Sequence, residues 1–83
     1  MTFGRYLKIT RLGTGLTQRG LAKKIGISNV QLSYYERDKR FPNSQTMKIL
    51  IRTLKLDRDL LKTYIIKHYT NQAMDYFDQF KPL

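Results

Sequence analysis

Apolar residues recur along the chain at intervals of three and four, the period of a helix with one buried face. Phe3, Tyr6 and Leu7 form the first such set, behind Thr2. A threonine there can accept from the free N–H groups of a helix start. This predicts a first helix running to about Leu12 and ended by Gly13-Thr14-Gly15. Thr17 opens a second helix, Gln18 to about Ile25, with Leu21, Ala22 and Ile25 inward. Gly26 then permits a left-handed turn. Ser28 opens a third helix, Asn29 to about Arg37, in which Leu32 and Tyr35 face inward with Val30 or Ile27. A basic loop from Asp38 to Asn43 contains Pro42. Ser44 is the expected cap of a fourth helix carrying Met47, Leu50, Ile51 and Leu54 on one face. Asp57 opens a fifth, with Leu60, Leu61, Tyr64, Ile65 and His68 on one side. No stretch alternates as a strand would. The pattern predicts an all-α protein, with five helices in residues 1–70 and a short helical or aromatic tail in residues 71–83.

The tail poses an angular question. At about 100° per residue, Leu61, Tyr64, Ile65 and His68 share one stripe, while Ala73, Tyr76, Phe77 and Phe80 share another about 120° away. Either the helix breaks near Thr70-Asn71, or one stripe meets the core and the other a partner.

Charge changes this picture more than composition does. Sixteen Lys and Arg against six Asp and Glu give a formal net charge of +10. The charge is concentrated: of the acids, only Glu36 and Asp38 precede Asp57, whereas the last sixteen residues are near neutral and hold Tyr69, Tyr76, Phe77 and Phe80. The body is expected to meet a polyanion, nucleic acid before an acidic membrane, and the tail to meet protein. There is no cysteine and the single histidine is His68, so no disulfide, metal or cofactor is expected. A chain of 83 residues has little room for both a core and a deep cleft. It carries no nucleophile elbow, P-loop or paired-carboxylate motif, which argues against an enzyme. A membrane span needs about 20 mostly apolar residues. The longest uncharged stretch, Ile25 to Tyr35, is broken by Gly26, Ser28 and Asn29. With no signal-peptide pattern either, a cytoplasmic protein is expected. A membrane-surface module would set its cations beside one large apolar face. An RNA module would need a wider aromatic platform than Tyr34 and Tyr35.

The function-bearing segment is Gln18–Arg37, QRGLAKKIGISNVQLSYYER. Two short helices flank Gly26; Ala22 is small enough for them to cross closely, and Ile27 plugs the corner. That leaves Asn29, Val30, Gln31, Ser33, Tyr34 and Arg37 outward. An exposed face at the start of a second helix is what helix-turn-helix proteins insert into the major groove. Two side chains have alternatives: Val30 can join the core, and Tyr34 can pack on Tyr35 or Arg37.

The run LTQRGLAKKIGIS, followed by SYYERDKRFP and QTMKILIRTL, resembles the λ-repressor/Cro-type helix-turn-helix family, the Cro/C1 or XRE family, over about residues 3–66. The resemblance implies a compact five-helix fold and a homodimer on double-stranded DNA. It also implies regulation of transcription, in its simplest form repression at an inverted-repeat operator. It carries Asn29, Val30 and Tyr34 to the base-reading face, with Gln31 and Ser33 as neighbours in that set, for a base edge or a phosphate. An Asn there can pair with adenine, and a Val can touch a thymine methyl. Gln18, Arg19, Lys23, Arg37, Lys39, Arg40 and Asn43 fall to the phosphate backbone, and Arg11 with Glu36 to an internal salt bridge. The surplus apolar residues Ile66, Tyr69, Tyr76, Phe77 and Phe80 are the candidate dimer interface. The alternative is an antitoxin that binds its own promoter and holds a protein partner with this tail. Gly20, Asp38 and the second glycine of the 13–15 turn depart from the family pattern. They bear on local stability, since a helix-interior Gly costs about 1 kcal/mol relative to Ala and Asp enters the left-handed region less readily than Gly.

Overall fold

The computed structural model describes residues 1–69, without the side chain of Tyr69. Among them it has five helices and no strand: α1 (Phe3–Gly13), α2 (Gln18–Ile25), α3 (Asn29–Glu36), α4 (Ser44–Leu54) and α5 (Arg58–Tyr69). The tail assigned to residues 71–83, with Tyr76, Phe77 and Phe80, lies outside the described residues.

Helix starts follow local hydrogen bonding. Thr2 Oγ1 accepts from Arg5 N–H at 3.2 Å, Thr17 Oγ1 from Gly20 N–H at 2.9 Å and Ser28 Oγ from Gln31 N–H at 3.0 Å. Asp57 Oδ1 accepts from both Asp59 and Leu60 N–H, at 2.9 and 3.1 Å. The fourth start is a correction. Asn43, not Ser44, is the cap, its Oδ1 accepting from Thr46 N–H at 2.9 Å. Asn and Ser cap about equally well, so the choice falls to the preceding chain. There Phe41 packs on Phe3 with ring centroids 5.0 Å apart, and Pro42 is buried. These anchors bring Asn43 in with extended backbone, and the helix begins at Ser44, one residue earlier than a Ser44 cap would allow.

The inner faces meet in one core of Phe3, Leu7, Leu21, Ala22, Ile25, Leu32, Tyr35, Met47, Leu50, Leu54, Leu56, Leu61, Tyr64 and Ile65. One expectation changes, and one alternative is decided. Leu60 is 39% exposed and leaves the inner stripe to Leu61, Tyr64 and Ile65. At about 100° per residue Tyr64, Leu61 and Ile65 span one arc that faces the core, and Leu60 falls outside it on the Tyr64 side. Ile27 packs on the core beside Leu32 and Tyr35, while Val30 is 58% exposed. α5 is fastened to α1 through Tyr64, whose ring lies 6.4 Å from Phe3 and 5.7 Å from Tyr6. The Tyr6 hydroxyl also accepts from Asp57 N–H at 2.9 Å, at the start of α5.

α1 rests against the end of α3 at Gly4. A Cβ there would stand 2.5 Å from the Tyr35 carbonyl oxygen, 2.6 Å from that of Glu36 and 2.9 Å from Asp38 Cγ. No side chain fits this crossing. Gly13 differs: it is the last residue of α1, and a Cβ there would meet nothing within 4 Å. Gly13→Ala is expected to stabilise the fold by about 0.5–1 kcal/mol, by restricting the unfolded chain and favouring the helix. A rise in the urea midpoint at unchanged m-value checks this, and a fall would mean that the native backbone at Gly13 needs glycine.

Candidate nucleic-acid interface

The two helices of the segment are held in a set relation by their turn and by a buried polar cluster. Gly26 takes the left-handed conformation at φ 78° and Ile27 N–H returns to the Ala22 carbonyl at 3.0 Å, ending α2. Buried Ala22 allows α2 to lie against α3. At the far end, Arg11 donates to both Glu36 oxygens, Nε to Oε2 at 2.6 Å and an η nitrogen to Oε1 at 3.1 Å. Its other η nitrogen donates to the Leu16 carbonyl at 2.7 Å. Gln18 Nε2 donates to Glu36 Oε1 at 2.9 Å. Thus the start of α2 and the end of α3 are tied through one carboxylate, and α1 supplies its counter-charge.

α3 presents its first turn outward. Ser28 and Gln31 form a reciprocal capping box, the Gln31 side-chain carbonyl accepting from Ser28 N–H at 3.4 Å. Asn29, Val30 and Gln31 are exposed, whereas Ser33 and Tyr34 are half-buried on the flank. The Gln31 side-chain oxygen thus serves the helix start, which leaves the amide N–H2 group out of the capping box. The end of α3 is a left-handed closure. Asp38 N–H meets the Tyr35 carbonyl at 3.2 Å and Lys39 N–H the Tyr34 carbonyl at 2.9 Å, with Asp38 at φ 59°. Asp38 holds that conformation while its Oδ1 accepts from Gly4 N–H at 2.9 Å. Beyond it, Arg37, Lys39 and Arg40 are exposed. The guanidinium carbons of Arg37 and Arg40 stand 5.4 and 5.5 Å from the Tyr34 ring centroid.

The structure therefore gathers Tyr34, Arg37 and Arg40 into one cluster and joins Gln18 to the end of α3. Arg19 and Lys23 are exposed on α2. Asn43 is exposed at the start of α4, its side-chain oxygen engaged in the cap. Ile66 is 49% exposed on α5.

The electrostatic consequence follows from where the two early acids are used. Glu36 is buried with Arg11, and Asp38 turns its carboxylate to the start of α1. The exposed Lys and Arg of this half are thus left as a positive surface around α3. Among the described residues no helix is long and apolar enough to cross a membrane.

Sequence reasoning treats Asp38 as a departure from the family and passes over Gly4. In the fold the two act together. Gly4 lets α1 approach, and its N–H binds the Asp38 carboxylate that stabilises the turn. The available signal is a glycine inside the first turn of an amphipathic helix, where it weakens the helix.

A family model described as a helix-turn-helix domain matches residues 2–63. The HTH-type transcriptional regulator ImmR of Bacillus subtilis (strain 168) is 39% identical over 61 residues, which cover 74% of this chain and 48% of that protein. The chain thus spans about half the length of the relative it matches. No solved structure matches it significantly.

Proposed function

The chain belongs to the XRE-type helix-turn-helix family, and from that premise we propose that it is a sequence-specific regulator of transcription that binds double-stranded DNA in the cytoplasm. The observation that carries this reading is the outward first turn of α3, set by its capping box and flanked by exposed cations. Asn29 and Val30 lead the base-reading set, with Gln31 and Ser33 beside them. Phosphate contacts come from among Arg19, Lys23, Arg37, Lys39 and Arg40, about three or four in each copy, joined by the start of α2 at Gln18 and by Asn43. Binding alone represses a promoter by occlusion, and repression needs no ligand site.

A single recognition helix spans too few base pairs to mark a unique site. The regulator therefore acts as a two-fold dimer on half-sites about 10 base pairs apart, centre to centre. Exposed Ile66 on α5 is the described part of the surface that would join the two copies.

Titration on a duplex selected from random sequences tests the assignment. Asn29→Ala is expected to lose about 1–3 kcal/mol on the selected site and to relax preference at one base pair. Lys39→Ala should weaken selected and random duplexes by the same factor. Equal losses on both duplexes for Asn29→Ala would remove it from the base-reading set. In the same assay, a duplex with one half-site deleted should bind far more weakly than the intact site. Equal affinity for the two would remove the dimer.

A further inference from the structure

The family resemblance carries Tyr34 to the base-reading face, but the structure gives its ring another occupation. Both Arg37 and Arg40 lie over it, at 5.4 and 5.5 Å from the centroid, within the roughly 6 Å reach of cation–π attraction. Sequence spacing accounts for only one of them. Arg37 is three residues on and therefore one helical turn away. Arg40 lies past the end of α3 and returns to the ring because the chain reverses at Asp38, φ 59°. That reversal is closed by Lys39 N–H on the Tyr34 carbonyl at 2.9 Å and braced by Gly4 N–H on Asp38 at 2.9 Å. The ring is half-buried, and its neighbour Tyr35 is in the core, so it is backed by protein. Such a ring offers an approaching strand two ordered guanidiniums. Each carries paired N–H donors that match phosphate oxygens. Holding two like charges at one ring is unfavourable until an anion joins them.

We propose that Tyr34 is a positioning residue: its ring holds Arg37 and Arg40 as a paired clamp on the DNA backbone, and it does not read a base. This rests on the DNA-binding reading above. It assigns sequence-independent affinity to a side chain whose place on α3 suggests specificity.

The test uses the full chain on selected and random duplexes. Tyr34→Leu and Tyr34→Phe are each made in the parent and in an Arg37→Ala/Arg40→Ala background. Tyr34→Leu is expected to weaken both duplexes by the same factor, about tenfold, because two cations lose their ring. Tyr34→Phe keeps the ring and should restore the affinity and the ratio between duplexes. The salt slope of the Arg37→Ala/Arg40→Ala background should be shallower by about 0.9 for each phosphate no longer held. In that background Tyr34→Leu should cost nothing more. A selected-to-random ratio lowered by Tyr34→Phe would overturn the proposal and make the hydroxyl a base reader. A tenfold loss that persists without the arginines would also overturn it. The helical signal and melting of each free variant separate lost clamping from lost folding. Should Tyr34→Leu fail to fold, the ratio measured for Tyr34→Phe still decides, since an unchanged ratio supports the clamp and a lowered one sinks it. Absence of salt-dependent duplex binding by the parent chain would instead defeat the DNA reading itself.

Discussion

Raising the salt from about 50 to about 200 mM is expected to weaken the hold of the proposed dimer on a duplex by about a thousandfold to ten-thousandfold. About six to eight phosphates per dimer, each releasing counterions, set a slope of log K against log salt of roughly −5 to −7. The structure favours a steep slope because of where the acids lie. Glu36, the residue that could best offset the basic face, is sequestered with Arg11. Asp38 has turned to Gly4. Arg19, Lys23, Lys24, Arg37, Lys39 and Arg40 are thus left exposed, with Glu36 and Asp38 engaged elsewhere. In free-energy terms the loss is about 4–6 kcal/mol, more than any single base contact contributes. Fluorescence anisotropy across a salt series measures it. A slope near zero would count against DNA as the main partner. An equally steep slope with equal affinity for single strands would leave a general polyanion binder.

Glu36→Ala is expected to destabilise the free protein by about 3–5 kcal/mol, the cost of leaving a buried charge without its partner. Arg11 is 5% exposed and would keep only the Leu16 carbonyl, while Gln18 would lose its acceptor. A domain of this size has about 4–12 kcal/mol of stability in all, so the variant loses at least about a quarter of it. A loss of that size lowers Tm by more than about 15 °C. Glu36→Gln should fall between the two, because one carboxylate oxygen becomes an N–H2 group facing the donors of Arg11 and Gln18. Replacing both charges, Arg11→Met with Glu36→Leu, should recover much of the stability, since an apolar pair of similar volume avoids the desolvation cost. It should not recover DNA affinity in full, because Gln18 would still lack the group that ties the start of α2 to the end of α3. Urea denaturation of the three variants separates these effects. A Glu36→Ala midpoint close to the parent's would show that Arg11 finds water when its partner is gone.

How the fold could be read from the chain depends on how far each determining contact reaches. Thr2, Thr17, Ser28 and Asp57 bond to N–H groups two or three residues on, so residue type and position were sufficient to place four helix starts. The inward faces of α2 and α4 follow from periodicity for the same reason, as Leu21 and Ile25, or Met47, Leu50 and Leu54, sit a turn apart. The outward set on α3 was legible as what remains once Leu32 and Tyr35 are taken by the core. Where two neighbouring residues were locally equivalent, tertiary packing decided. Asn43 became the cap in place of Ser44 because Phe41 and Pro42 are anchored before it. Leu60, expected on the inner face beside Leu61, lies outside it and is exposed. The finer chemistry of the interface depended on longer reach still. The Asp38 bond to Gly4 spans 34 residues and the Arg11 pair with Glu36 spans 25. Arg40 reaches Tyr34 past the end of α3, where the chain reverses at Asp38 and is closed on the Tyr34 carbonyl, with the Gly4 bond as a brace. The sequence by itself determined which segments are helices and which short face of α3 looks outward, because those are settled within one turn of chain. Only the tertiary structure decided that Asp38 is a brace, because its bond to Gly4 needs α1 packed across the end of α3, and that Arg40 joins Arg37 at the Tyr34 ring, because the chain turns back at Asp38.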